Sequence, residues 1–237
     1  MDLHDYQVAN GQFHFWHLAR LGLINFLIKD IKPGSQILSV GCGTGEELAL
    51  LQTVGQVVGL DVNPETVALA CQKGFEAKIF DLAKLTVEKP VDAIVAFDVL
   101  EHIADDQTAL NNIYQSLRPQ GFFILTVPAY DWLFSSHDQA LEHYRRYSKQ
   151  ALINKLQTAG FKIERLGHWN TSLFLPVALI RLSKKIWGTH VIKSEAGPLP
   201  KIINELGLII LKAENWLISK NINLPWGLSI YVIAKRI

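Results

Sequence analysis

The sequence has few cysteines and almost no net charge, and each of these absences excludes a class of protein. Two cysteines, Cys42 and Cys71, occur among 237 residues, which excludes a disulfide framework and indicates a reducing compartment. Lysine and arginine number 23 against 22 aspartates and glutamates, a formal net charge of +1. So small a charge gives no electrostatic basis for binding nucleic acid, and no nucleic-acid partner is expected.

Long apolar runs and targeting signals are also missing. The stretch from Leu173 to Ile180 is too short to span a bilayer, and Arg181 follows it at once. Residues 1–10 are polar, with acids at Asp2 and Asp5, so no signal peptide is predicted. The chain is therefore expected in the cytoplasm.

The common catalytic motifs of hydrolases do not occur. The sequence contains neither the serine motif G-x-S-x-G nor the zinc motif H-E-x-x-H, so neither chemistry is predicted. At 237 residues the chain is long enough to bury a full core and suits one α/β domain with an embellishment.

Short apolar strands alternate with amphipathic helices, which predicts a parallel sheet covered by helices on both faces. The first helix, from Phe13 to Lys29, is apolar and aromatic, and Ser148 is the predicted N-cap of a helix from Ala151 to Ala159. Strands are predicted at Ile37–Val40, Gln56–Asp61, Ala77–Phe80, Val91–Ala96, Phe122–Val127, Phe161–Leu166 and Leu228–Ala234.

A glycine-rich loop follows the first strand. Gly41, Gly43 and Gly45 come directly after the buried run and let a ligand approach the backbone where a Cβ atom would intrude. The next strand ends in Asp61, about 20 residues past the first glycine, where a βαβ unit places a carboxylate against ribose hydroxyls. The pair predicts a nucleotide-like ligand.

The glycine spacing disfavours a nicotinamide dinucleotide, and with it an oxidoreductase. The dinucleotide fingerprint G-x-G-x-x-G has its third glycine at the sixth position, where this chain has Glu46. A carboxylate at that place would repel two phosphates. S-adenosylmethionine, which joins adenosine to an amino acid through a sulfonium cation, carries no phosphate to repel.

Four motifs, in order, resemble those of the class I S-adenosylmethionine-dependent methyltransferases. They are the glycine loop, Asp81-Leu82 after the third strand, Phe97-Asp98-Val99-Leu100-Glu101-His102 after the fourth, and Leu117-Arg118-Pro119-Gln120-Gly121 before the fifth. The resemblance covers roughly residues 13–170 and the last strand. Ser39 stands where the family normally has an acid.

The resemblance implies a doubly wound, Rossmann-like α/β sheet of seven strands with the last strand antiparallel. It implies S-adenosylmethionine as cofactor and S-adenosylhomocysteine as product, with Asp61 at the ribose and Asp81 at the adenine. The units expected are an N-terminal helical cap (1–35), the cofactor-binding core (36–170), a helical insert (171–225) and the last strand of the core (226–237). The expected cofactor contacts are Ser39, Gly41, Cys42, Gly43, Gly45, Asp61, Val62, Asp81, Leu82 and Phe97.

The acceptor side is expected in the segment from Pro128 to Ser148. The segment resembles the P-A-x-x-x-L-W-x-x-H-D…H-x-R-R-Y pattern of an uncharacterised bacterial branch of small-molecule methyltransferases, often labelled type 11 or type 12. A proton acceptor for an oxygen nucleophile is expected among His102, His137 and His143. Acceptor contacts are expected from Trp16, Trp132, Arg145, Arg146 and Tyr147.

Other interpretations of this segment stay open. It could form a structural lid, and His137, Asp138 and His143 could hold a metal only with a third well-placed ligand and an open position. No metal is expected, because methyl transfer from a sulfonium requires none. The fourth motif is not of the N-P-P-Y type that methylates base amino groups, so nucleobase acceptors are disfavoured.

The insert between the last two strands is basic and amphipathic. Between Thr171 and Lys220 the sequence has seven cations and three acids. One predicted helix face carries Ile202, Ile203, Leu206, Ile209, Ile210, Ala213, Trp216 and Leu217, opposite Lys201, Glu205, Lys212 and Asn215. Such a face predicts peripheral contact with the inner face of a membrane or a partner, or packing on the domain or across a homodimer.

The sequence therefore predicts a methyltransferase that uses S-adenosylmethionine to modify a small-molecule or lipid-linked acceptor, most simply at oxygen. One alternative is a binding module that senses the cofactor without turnover, which the serine at position 39 favours. A nicotinamide-dependent oxidoreductase is the disfavoured third interpretation.

Overall fold

The computed structural model describes residues 14–85, 87, 89–186 and 199–237. Three predicted features lie outside the described residues: the beginning of the first helix, the N-terminal residues examined for a signal peptide, and residues 187–198 of the insert. The side chains of residues 184–186 are also outside the description. The strands are β1 (Ser35–Val40), β2 (Gly55–Asp61), β3 (Ala77–Ile79), β4 (Val91–Phe97), β5 (Leu117–Pro128), β6 (Phe161–Trp169) and β7 (Ser229–Arg236).

The helices occupy most of the segments between strands. They are α1 (Phe15–Leu27), α2 (Leu48–Leu51), α3 (Pro64–Gln72), α4 (Asp106–Ser116), α5 (Ser136–Ala140), α6 (Lys149–Thr158), α7 (Thr171–Ile186) and α8 (Lys201–Ser219). The Ser148 side chain accepts a hydrogen bond from the Ala151 N–H, which confirms the predicted N-cap of α6.

The described strands form one mixed sheet in the order β3-β2-β1-β4-β5-β7-β6. Strands β1 to β5 pair in parallel, and β7 lies antiparallel between β5 and β6. This confirms the predicted doubly wound fold with an antiparallel last strand. The order reverses between β1 and β4, and this reversal is where open α/β sheets bind their ligands.

Each face of the sheet packs on its own layer of helices. On one face α4 and α6 contribute Leu110, Ile113, Leu152 and Leu156 to the core. The other face is covered mainly by α1, whose buried positions follow the three- and four-residue spacing of a single helical stripe. They are Phe15, Ala19, Arg20, Leu23, Ile24 and Leu27.

The insert packs on α1 through a face of α8 that the sequence pattern did not select. Leu211, Glu214 and Ile218 are buried, and the Asn215 side chain bridges α1 and β6 by donating to Ala19 O (2.7 Å) and accepting from Trp169 Nε1 (2.9 Å). Asn215, predicted on the side opposite the apolar face, thus lies on the side of α8 that packs against α1. The apolar face predicted to pack or dock is the one that remains exposed.

The beginning of α7 is tied to α8 by a buried carboxylate. The backbone N–H groups of Thr171 and Ser172 donate to the two oxygens of Glu214, at 3.0 and 2.7 Å. Because the first N–H groups of a helix have no partners within it, an acid at this place satisfies them and complements the helix dipole. No helix in the described residues is long and apolar enough to cross a bilayer.

Candidate functional site

A cavity of about 990 Å³ opens at the carboxyl ends of β1, β2 and β4. The glycine loop and the end of β2 form one side, the residues after β4 form the floor, and α1, α5 and α7 close the other side. The cavity therefore joins the predicted cofactor motifs to the predicted acceptor segment in one space.

The glycine loop is held in a conformation that favours glycine. Gly41 and Gly43 have φ of 67° and 51°, in the left-handed region that side chains rarely adopt. A Cβ atom at Gly41 would overlap the Val99 side chain. The Asp61 carboxylate accepts from the N–H groups of Gly43 (2.8 Å) and Asn63 (2.9 Å), which fixes it at the rim of the cavity.

Three of the predicted cofactor contacts lie outside the cavity lining, namely Ser39, Cys42 and Gly45. The Ser39 hydroxyl donates to the buried carboxylate of Glu47 at 3.3 Å. An aspartate at position 39 would put two carboxylates in contact. The presence of Glu47 therefore explains why position 39 has a serine and not the acid that the family normally has there. Burial, with the charges of Asp61 and Glu47, raises the pKa of Cys42 to about 12, which keeps the thiol protonated.

The remaining predicted cofactor contacts all line the cavity. Gly41, Gly43, Asp61 and Val62 stand along one wall, and Asp81 and Leu82 continue it. The Asp81 carboxylate lies 3.6 Å from the Lys84 ammonium across the surface. This wall therefore carries two carboxylates, those of Asp61 and Asp81.

An ion pair in the cavity, between a buried arginine and a half-buried aspartate, was missed by the sequence analysis. The Arg20 guanidinium contacts the Asp98 carboxylate (Nε to Oδ2, 3.2 Å) and donates to Phe97 O (2.9 Å). Asp98 has a φ of 59° and its carboxylate accepts from the Thr126 hydroxyl at 3.1 Å. The residues are 78 positions apart, so no local pattern could reveal the pair.

The acceptor end of the cavity holds a histidine pair beside a buried acid. The rings of His102 and His143 meet edge to face, with centroids 4.5 Å apart. Glu101 is fully buried next to them. The three side chains come from the turn after β4 and from the loop before α6, which the fold brings together.

His143 is oriented by a carboxylate. Its Nδ1 lies 3.2 Å from Oδ1 of the buried Asp138. Burial alone would raise the pKa of Asp138, but the hydrogen bond from His143 and the charges of Arg146 and Arg181 hold that pKa well below its usual range. Because an ionised Asp138 only accepts, the Nδ1 carries the proton and the Nε2 is the basic nitrogen.

Asp138 also connects the insert to the core through two ion pairs. It pairs with Arg146 at 2.7 Å and with Arg181 of α7 at 3.4 Å. Arg146 lines the cavity, yet its guanidinium is engaged by Asp138 and by Ala129 O (3.3 Å). Its guanidinium is thus engaged within the protein, which gives the expected acceptor contact little support.

Three predicted acceptor contacts, Trp132, Arg145 and Tyr147, lie outside the cavity lining. Arg145 pairs with Asp106 at 3.0 Å, and the Tyr147 hydroxyl donates to the same carboxylate at 2.8 Å. Trp132 is 47% exposed and packs on Tyr130. Their positions give the expectation of acceptor contact no support, whereas Trp16 does line the cavity.

One group of three side chains in the described residues could hold a metal ion. It differs from the group that the sequence suggested, His137, Asp138 and His143. Ligand atoms of Glu101, His102 and His143 lie within 4.8 Å of one another. Arg146 and Arg181 pair with Asp138 beside this trio, so a dication there would lie near two further cations in a buried place. The absence of a metal stays a prediction.

Comparisons with known proteins agree on one family for this chain. A family model described as a methyltransferase domain matches residues 14–166, more than half of the chain. A probable S-adenosylmethionine-dependent methyltransferase of Mycolicibacterium smegmatis is 32% identical over 137 residues, covering 55% of this chain and 53% of the relative. A ubiquinone biosynthesis O-methyltransferase of Rickettsia prowazekii is 30% identical over 136 residues, covering 52% and 54%.

A solved structure supports the fold over nearly the whole chain. The S-adenosylmethionine-dependent methyltransferase of Archaeoglobus fulgidus aligns with a TM-score of 0.63 at 16% identity, covering 99% of this chain and all of that one. The chain spans about half the length of the two sequence relatives.

Proposed function

This chain belongs to the methyltransferase-domain family and is of the class I S-adenosylmethionine-dependent type, and on that premise we propose that it methylates an oxygen of a small or lipid-linked acceptor. The observation that carries the proposal is the single cavity that connects the glycine loop to the His102–His143 pair. A sulfonium is already an activated methyl donor. The protein then has to orient donor and acceptor, exclude water and take the acceptor's proton.

The cofactor's three parts have matching partners along the cavity. In this proposal Asp61 binds the ribose hydroxyls and Asp81 the adenine amino group. The methionine end is a zwitterion, and the Arg20–Asp98 pair offers it one group of each sign, a guanidinium for the carboxylate and a carboxylate for the ammonium. Asp98 of this pair thus takes the place of the acid that the family normally has at position 39.

His143 is the proposed proton acceptor. Its Nδ1–H faces Asp138, which leaves Nε2 free of that bond and stabilises the imidazolium that forms when the ring takes a proton. His102 stands against it and lines the same space. A further histidine of the cavity, His17, is a poor candidate, because burial lowers its pKa to about 3.

We expect Asp61→Ala to weaken S-adenosylhomocysteine binding by about 1–3 kcal/mol, the loss typical of hydrogen bonds to a charged group. Isothermal titration calorimetry measures the change, and Glu65→Ala is the matched control because Glu65 is an exposed acid in the first turn of α3. An Asp61→Ala protein that binds as tightly as the parent would remove Asp61 from the cofactor site.

The proposed reaction is tested by screening for S-adenosylhomocysteine release with phenols, quinols, sugar derivatives and lipids as acceptors. Release that depends on a hydroxyl acceptor supports oxygen methylation. Tight cofactor binding without release, across all acceptor classes, would favour the binding module. Release with amines alone would move the target from oxygen to nitrogen.

A further inference from the structure

The outer sides of α7 and α8 carry large apolar side chains that no described part of the chain covers. Between 40% and 72% of each is exposed. This outer apolar surface consists of Leu175, Leu179 and Leu182 on α7 and Ile202, Leu206, Ile209 and Trp216 on α8. Scattered exposed leucines are ordinary, but a row of this length marks an interaction site.

Helix α8 has two apolar sides, and only one of them is used within the chain. At 100° per residue, Leu211 and Ile218 point toward α1, whereas Ile202, Leu206 and Ile209 cluster on a different side. The 19 residues of α8 extend over about 28 Å at 1.5 Å per residue. The exposed strip therefore runs along the whole helix.

The charges near this strip are mostly positive. Lys201, Lys212 and Lys220 are exposed, with Glu205 as the exposed acid of α8. Glu214, the other acid of that helix, is buried against the beginning of α7. The surface is complementary to an anionic partner.

We propose that the outer apolar surface docks on an anionic phospholipid membrane. An exposed aliphatic strip with a tryptophan and flanking lysines has the composition of helices that lie in the bilayer interface, where lysines meet headgroups and apolar side chains enter the acyl boundary. A twofold dimer through the same surface would instead bring together two faces that each carry three exposed lysines and one exposed acid, and so repel each other.

Docking also places the active cavity near the lipid. Helix α7 has two sides, and Leu173, Val177 and Arg181 on its inner side line the cavity, while Leu175 and Leu179 belong to the outer surface. One helix thus separates the cavity from the membrane. Resting on the proposed function, this selects the lipid-linked class of acceptor over the freely soluble one.

Vesicle flotation of the full chain tests the docking. We expect binding to phosphatidylcholine vesicles that contain phosphatidylglycerol, release as salt rises, and little binding to phosphatidylcholine alone. Leu206→Ser combined with Ile209→Ser should reduce bound protein roughly tenfold or more through lost apolar contact, and Lys212→Glu should weaken binding at low salt. Ile79→Ser, on the edge strand β3 and 61% exposed in the parent, is the matched control.

Two results would overturn the proposal. One is no flotation with anionic vesicles at low salt. The other is a dimer, measured by light scattering, that Leu206→Ser with Ile209→Ser dissociates, because the surface would then belong to a second copy. Titration of S-adenosylhomocysteine into the same samples distinguishes failure of the docking proposal from failure of the proposed function. Normal cofactor binding without flotation rejects only the membrane docking. Loss of cofactor binding rejects the proposed function, whatever the flotation shows.

Discussion

Replacing Gly43 by valine is expected to abolish binding of S-adenosylmethionine and S-adenosylhomocysteine. Gly43 lines the cavity at a φ of 51° and donates its N–H to Asp61. A β-branched side chain there would occupy the ligand's space and strain the backbone that positions the carboxylate. Calorimetric titration measures the loss, with thermal unfolding recorded alongside.

Gly34→Val is the control that separates loss of space for the ligand from strain in the backbone. Gly34 has a φ of 82°, and a Cβ atom built on it meets nothing within 4 Å. It precedes β1, at the end of the sheet opposite the cavity. Both variants should lower the melting temperature, and only Gly43→Val should lose the cofactor. Equal cofactor affinity in both would place the ligand elsewhere.

His143→Ala is expected to lower turnover by roughly 10² to 10⁴ while cofactor affinity stays nearly unchanged, because the ring acts on the acceptor's proton. The measurement is the release of S-adenosylhomocysteine with the acceptor found by screening, as a function of pH. His102→Ala and His137→Ala should cost less, because in the proposed mechanism the acceptor's proton passes to His143, whose ring is oriented by Asp138.

Asp138→Asn gives a second test of the same base. It should lower turnover because a neutral amide no longer stabilises the His143 imidazolium by its charge, and it should also lower stability because Arg146 and Arg181 lose their negatively charged partner. His143→Ala should affect turnover far more than stability. Full activity in all three histidine variants would contradict a histidine base and leave orientation alone, or an acceptor that is already ionised.

The pattern of α8 shows where periodicity stops being informative. Its apolar residues occupy two sides of the helix, and the richer side was the natural choice for packing. The structure packs the poorer side instead, because Leu211 and Ile218 fit against α1 and Asn215 satisfies both Ala19 O and Trp169 Nε1. A helical period identifies the sides of a helix, whereas the neighbouring elements decide which side is buried.

The sequence by itself determined the order of strands and helices, the glycine loop and the place of Asp61. All of these follow from short-range rules: apolar runs, glycine where a Cβ cannot fit, and a carboxylate one βαβ unit later. Only the tertiary structure decided which distant side chains meet, such as Arg20 with Asp98 and Asp138 with Arg181. Those contacts join segments far apart in sequence, and their geometry depends on how helices pack across the sheet's carboxyl edge.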